Sequence, residues 1–139
     1  MSLSFVADAS VAFAWVHPHH ATEETDTLLD SLLEGAVVVV PSLWFLEVAN
    51  ALLVAVRRKK MTKHERTSAL NYLKHLKMTV DTDGPGFAFD TLSELAETHH
   101  LSIYDASYLE LALRRRLPLS SRDQSLRAAA KRCHVRLLC

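Results

Sequence analysis

Four carboxylates in this chain sit where an ionised oxygen is costly unless something answers its charge. Asp105 lies in Leu101-Ser102-Ile103-Tyr104-Asp105-Ala106-Ser107-Tyr108-Leu109-Glu110-Leu111-Ala112-Leu113. There Ile103, Ala106, Leu109 and Leu113 recur at helical spacing, and Tyr104, Tyr108 and Leu111 cover other sides, so a mostly buried helix is expected. A carboxylate in its first turn needs donors or a cation, although Ser102-x-x-Asp105 is also a capping-box pattern that would merely close the helix. Glu47 is embedded in Leu43-Trp44-Phe45-Leu46-Glu47-Val48-Ala49-Asn50-Ala51-Leu52-Leu53, an otherwise almost wholly apolar helix. Asn50, three residues on, shares its face, so the two side chains either bond each other or look into a polar pocket. Asp8 follows the β-prone run Leu3 to Ala7, and Asp123 follows the run Leu117 to Ser121. Either could be a helix cap or a functional acid at a strand end.

If the four share one pocket they repel one another. Two like charges 4 Å apart cost about 4 kcal/mol at an effective dielectric of 20. Several such pairs would rival the roughly 5 to 15 kcal/mol that holds a domain folded, with proton uptake relieving part of the strain. Either the acids are apart or a cation sits among them. Hard oxygen donors without cysteine or a required histidine favour Mg²⁺ or Mn²⁺ over Zn²⁺, and such ions bridge phosphate oxygens and activate water.

The elements that must position these acids alternate in kind. Strands are expected at Leu3 to Ala7, Val37 to Val40, Met78 to Val80, Leu117 to Ser121 and Val135 to Leu138. Helices are expected after Asp8, from Thr22 to Leu33, from Leu43 to Arg57 capped by Ser42, from Lys63 to Leu76, from Phe87 to Thr98, through the Asp105 segment, and from Gln124 to Arg132. Leu28, Leu29, Leu32 and Leu33 should face inward from the second helix, and Phe89, Leu92, Leu95 and Ala96 from the fifth. Strands this far apart cannot form hairpins. The pattern predicts an α/β fold, a single domain over residues 1–139 with a central parallel sheet of about five strands and helices on both sides. Ligands of such sheets gather at the carboxyl ends of the strands, where Asp8 and Asp123 fall.

The composition narrows the function classes. At 139 residues, the chain is long enough for one real core, and 16 basic against 16 acidic side chains carry no global nucleic-acid signature. A polyanion partner must therefore meet a local patch. Candidates are Arg57-Arg58-Lys59-Lys60 with Lys63 and Arg66, Arg114-Arg115-Arg116, and Lys131-Arg132, although helix C-termini attract such residues anyway. Arg122, beside Asp123, is the preferred phosphate contact. No apolar run reaches the roughly 20 residues of a membrane span and no signal-peptide succession opens the chain, so a cytoplasmic protein is expected. Cys133 and Cys139 have no metal or redox spacing and read as free thiols. His17, His19 and His20 read as a solvated loop, as do His99 and His100. Trp15, Trp44, Phe45 and Tyr108 read as core.

Four segments together resemble the PIN domain, and most closely the VapC-type toxins of toxin-antitoxin pairs. They are Val6-Ala7-Asp8-Ala9-Ser10, Pro41-Ser42-Leu43-Trp44-Phe45-Leu46-Glu47-Val48-Ala49-Asn50-Ala51-Leu52, Leu101 to Ala112, and Leu117-Pro118-Leu119-Ser120-Ser121-Arg122-Asp123-Gln124-Ser125-Leu126. They occur in family order and span nearly the whole chain. Ser121 stands where the family commonly has threonine, and Cys133-His134 replaces a frequent glycine-containing turn. The resemblance implies a Mg²⁺-dependent endoribonuclease in which Asp8, Glu47, Asp105 and Asp123 bind metal and position an attacking water. Ser10 and Asn50 would be supporting polar groups by the same resemblance, and Ser121, which keeps the hydroxyl, and Arg122, as phosphate contact, are expected to support the site as well. The resemblance also implies an RNA substrate, a cognate antitoxin that lies across an apolar groove and blocks the acids, and a homodimer, whose contact is expected on the apolar helices flanking Glu47. The competing readings are a non-catalytic PIN-like RNA-binding module whose acids are caps, and another metal-dependent phosphohydrolase; the lack of a glycine-rich phosphate loop weighs against a nucleotide-binding enzyme.

Overall fold

The computed structural model describes residues 3–139. Its centre is built from short β-branched runs. Strands β1 (Ser4–Ala7), β2 (Val37–Pro41), β3 (Met78–Asp81) and β4 (Leu119–Ser120) form one parallel sheet in the order β3-β2-β1-β4. Phe5, Val6 and Ala7 of β1 are wholly buried, and so are Val38 and Val40 of β2. Consecutive residues point to opposite faces, so both faces of the inner strands are covered.

The covering helices are α1 (Ala9–Val16), α2 (Glu23–Leu33), α3 (Leu43–Arg57), α4 (Lys63–Lys74), α5 (Thr91–His99), α6 (Ile103–Arg115) and α7 (Gln124–Arg132). α6 packs on β1, β2 and β4, and α1 lies against α2 and α3. Tyr108, Leu109 and Leu111 of α6 are almost fully buried, each such apolar burial contributing roughly 1.5–3 kcal/mol. A capping box at Thr22 and Thr25 opens α2, which Gly35 closes at φ +101°.

Four local expectations are corrected. The final run forms no strand. Only Leu137 bridges Leu119, because β4 leaves the sheet after two residues and offers a neighbour a single rung. Ser42 makes no side-chain cap: its backbone is already helical at φ −59° and ψ −29°. Asp90 caps α5, after a 3-10 turn at Gly84–Phe87, so Phe89 falls outside the helix and is fully exposed. Leu33, the last residue of α2, is also exposed.

Candidate active site

β1 pairs with β2 on one side and β4 on the other, so the chain reverses its direction of travel across the sheet at β1. The crevice at the carboxyl ends of β1 and β4 is thus a topological switch point. Asp8 stands in it as the N-cap of α1, and Asp123 as the N-cap of α7. Asp8 is buried, and its Oδ1 accepts from the Ser10 N–H at 3.1 Å, the Ser10 hydroxyl at 2.5 Å and the Val11 N–H at 3.3 Å. Its Oδ2 accepts from the fully buried Ser121 hydroxyl at 2.5 Å.

Each serine is also an acceptor. Ser10 Oγ takes the Arg122 N–H at 2.9 Å, and Ser121 Oγ takes the Asp123 N–H at 3.0 Å. Two hydroxyl relays thereby tie the start of α1 to the turn after β4. Asp123 is exposed and uses one oxygen to cap Leu126 N–H at 2.9 Å. The cap leaves acceptor capacity on Asp123, because a carboxylate has about four lone-pair positions and this cap takes one.

Glu47 is carried in by α3 and Asp105 by α6, and a tyrosine couples them. The Tyr108 hydroxyl donates to Glu47 Oε1 at 2.6 Å. Burial, together with the Glu47 carboxylate it bonds, drives the Tyr108 pKa far above its ordinary value. Tyr108 lies one helical turn beyond Asp105, so this bond fixes Glu47 relative to the helix that bears Asp105. Asn50 is exposed and makes no hydrogen bond to Glu47 among the described residues. The partner of Glu47 is thus the tyrosine of another helix, which spacing along α3 cannot reveal. The cap at Ser102 is only half a capping box. Its hydroxyl accepts the Asp105 N–H at 3.0 Å, without the reciprocal bond from the Ser102 N–H to the carboxylate.

Three of the acids are displaced upward, Asp105 by the most causes. Asp105 is raised to about 6, first by burial, then by Asp123, Glu47 and Asp8, with Ser102 opposing. Burial raises Glu47, with Asp8 adding to it and the Tyr108 bond opposing. Burial raises Asp8 even against its four donors. Among the described residues no three Asp, Glu, His or Cys side chains are drawn tightly enough to hold an ion directly. This is an open set of carboxylates, not a closed cage. An all-oxygen set of that kind suits Mg²⁺ or Mn²⁺, which keep several waters and take only one or two carboxylates directly, better than Zn²⁺, whose protein sites are built mainly of Cys and His.

The basic residues divide sharply. Arg114 and Arg115 do not reach for phosphate: both are committed to Asp81, at the end of β3. Arg114 grips it with two parallel bonds of 2.9 and 2.7 Å, and Arg115 adds bonds of 3.2 and 2.9 Å. Arg114 also holds Glu110 at 2.6 Å. Arg122 turns its guanidinium back to the His20 carbonyl at 2.5 Å. His17, expected in solvent, is buried and bonds the Lys60 carbonyl at 3.1 Å, because it is the C-cap residue of α1 and stacks on Phe13 one turn back. Trp15, Trp44 and Tyr108 are core, whereas Phe45 is half exposed.

A family model described as the PIN domain matches residues 5–132. The crystal structure of PAE2754 from Pyrobaculum aerophilum shares the fold with a TM-score of 0.72 at 22% identity, covering 99% of this chain and 85% of that one. The structure of VapBC2 from Rickettsia felis bound to a DNA fragment from their promoter matches with a TM-score of 0.65 at 14% identity, covering 97% of each chain. That of FitAcB from Neisseria gonorrhoeae matches with a TM-score of 0.61 at 16% identity, covering 96% of this chain and 95% of that one. No curated protein matches by sequence. No helix among the described residues is long and apolar enough to cross a membrane.

Proposed function

Since the chain belongs to the PIN domain family, matched over residues 5–132, we propose that it is a VapC-type toxin: an endoribonuclease that hydrolyses RNA phosphodiester bonds with Mg²⁺ or Mn²⁺ and is silenced by a cognate antitoxin. The observation that supports the reading is geometric: the Ser121 hydroxyl joins Asp8 to the Asp123 N–H, and the Tyr108 hydroxyl joins Glu47 to the helix that bears Asp105; burial raises Asp105, and the charges of Asp123, Glu47 and Asp8 add to it. A domain gains nothing in stability from gathering like charges, so a divalent cation is the natural complement.

Asp8 is the fixed member, locked by Ser10 and Ser121. Glu47 is aimed by Tyr108. Asp105, whose carboxylate closes no capping box, has oxygens free for a ligand or for a proton from an attacking water. A divalent ion held by these residues would neutralise charge on the phosphate oxygens and make water a better nucleophile. The deep seat of Asp8 against the exposure of Asp123 gives the crevice a closed side and an open side, and the substrate would enter from the open one.

The structural neighbour from Rickettsia felis is a VapBC2 complex, and an antitoxin partner for this chain is inferred by analogy with it. A homodimer is proposed through the apolar face beside Glu47. There Leu46 is three-quarters exposed next to a cavity of about 370 Å³ between α3, α4 and β3, lined by Trp44, Phe45 and Leu73. The indole N–H of Trp44 is buried there without a partner among the described residues.

Labelled single-stranded RNA incubated with the protein in Mg²⁺ or in EDTA tests the nuclease. Cleavage is expected only with metal, and Asp8→Ala and Asp105→Ala should both lack it. Undiminished metal-dependent cleavage by the two variants would refute the site, and growth unaffected by wild-type expression in the absence of antitoxin would refute the toxin role.

A further inference from the structure

A groove runs from Ser10, at the edge of the acid crevice, between α1 and α3 to the end of α3. It encloses about 530 Å³. Its floor is apolar, from Phe13, Ala51 and Val54, and its rim carries Arg58, Lys60, Arg122 and His20 without an acidic side chain. None of the three cations forms an ion pair among the described residues. They come from two segments more than sixty residues apart, so a shared helix-end preference does not account for their meeting. The His20 ring packs edge-on to Phe13 with 5.2 Å between ring centres. The Arg122 guanidinium is held over the groove by the His20 carbonyl at 2.5 Å.

We infer that this groove holds the single strand of RNA flanking the scissile phosphodiester, with phosphates on Arg58, Lys60 and Arg122 and an unstacked base against Phe13 and His20. The inference rests on the nuclease reading and extends it from the acids to the strand's path. Cations along a groove with aromatic and apolar walls are what a single strand needs, since its backbone is anionic and its bases offer flat apolar faces. The groove meets the acids at Ser10, which bonds both Asp8 and the Arg122 N–H. A strand lying in it is therefore led to the crevice. An acidic protein segment could satisfy the cations but would leave the aromatic wall unused.

The test reads binding apart from cleavage. Anisotropy of a labelled RNA of about twelve nucleotides is followed with the Asp105→Asn protein in Mg²⁺, over salt from about 50 to about 200 mM. Adding Arg58→Glu and Lys60→Glu should weaken binding at least tenfold and reduce the log-log salt slope by about 1.4, because two phosphates then meet no cation and each accounts for about 0.7 of the slope. Adding Phe13→Leu should weaken binding without changing the slope. Lys131→Glu with Arg132→Glu, on α7, serves as a control and should leave binding unchanged, with circular dichroism verifying the fold of each protein. Equal RNA affinity before and after the Arg58 and Lys60 reversals would overturn the groove, as it would if the occupant were an acidic peptide. Wild-type cleavage is scored separately. Cleavage with an indifferent groove rejects this inference alone, and groove-dependent binding without cleavage rejects the nuclease alone.

Discussion

Tyr108→Phe isolates the hydroxyl that aims Glu47. Tyr108 is only 1% exposed, and Phe keeps the ring that fills its place in the core, so the perturbation is one oxygen at the end of a 2.6 Å bond. A hydrogen bond to a charged group contributes about 1.5–3 kcal/mol when water cannot replace it. Glu47 is half-buried, so water recovers part of that, and a loss of about 1 kcal/mol in unfolding free energy is expected. The larger effect should fall on the metal. Groups that orient a ligating carboxylate typically matter by 10–100-fold in metal affinity, about 1.4–2.7 kcal/mol. Calorimetric titration with Mn²⁺ and urea denaturation on the same preparations separate the two effects. A variant that binds Mn²⁺ within about twofold of wild type while losing about 3 kcal/mol or more of stability would show Tyr108 to be a structural brace and refute the positioning argument.

Arg114→Ala should be among the most damaging single changes, costing about 3–5 kcal/mol by urea denaturation, since it strips the main partner from the buried carboxylates Asp81 and Glu110. The Arg114 and Arg115 bonds hold Asp81 at about 2, below its ordinary 3.8, so its contribution is full above pH 4 and is lost as pH falls through 2. That loss is about 2 kcal/mol, read from urea midpoints between pH 5 and 2, and the part due to Arg114 should vanish in Arg114→Ala. Ser121→Ala orphans the Asp123 N–H and removes a donor from Asp8; a tenfold or greater fall in metal-dependent cleavage is expected, whereas Ser121→Thr should restore it. Leu46→Lys places a charge on the apolar face of α3 and should shift light-scattering mass from dimer to monomer; a wild type already monomeric at micromolar concentration would remove the dimer.

The strand runs at Phe5 to Ala7 and Val37 to Val40 were legible because a strand buried on both faces must be continuously apolar, and that pattern is local. The parallel sheet followed from their spacing, as did the crevice that Asp8 and Asp123 cap. The terminal strand was less legible. Val135 to Leu138 has strand composition, but pairing depends on how long β4 stays in the sheet, and Leu137 finds only Leu119. Phe89 misled for a similar reason, because the start of α5 at Asp90 decides which residues belong to its face.

The amino-acid order by itself determined that four carboxylates would be stationed at the ends of strands or inside apolar helices, since each position is set by neighbours a few residues away. Only the tertiary structure decided what each acid touches. Glu47 is held from α6 by Tyr108, not by Asn50 on its own helix, and Asp8 is clasped by Ser121, more than a hundred residues on. It also decided which cations are paired with acids: Arg114 and Arg115 are bound to Asp81, while Arg58, Lys60 and Arg122 line one groove and form no ion pair among the described residues. The physical reason is that hydrogen bonds and ion pairs act over a few ångströms of space, and chain order records distance along the backbone alone.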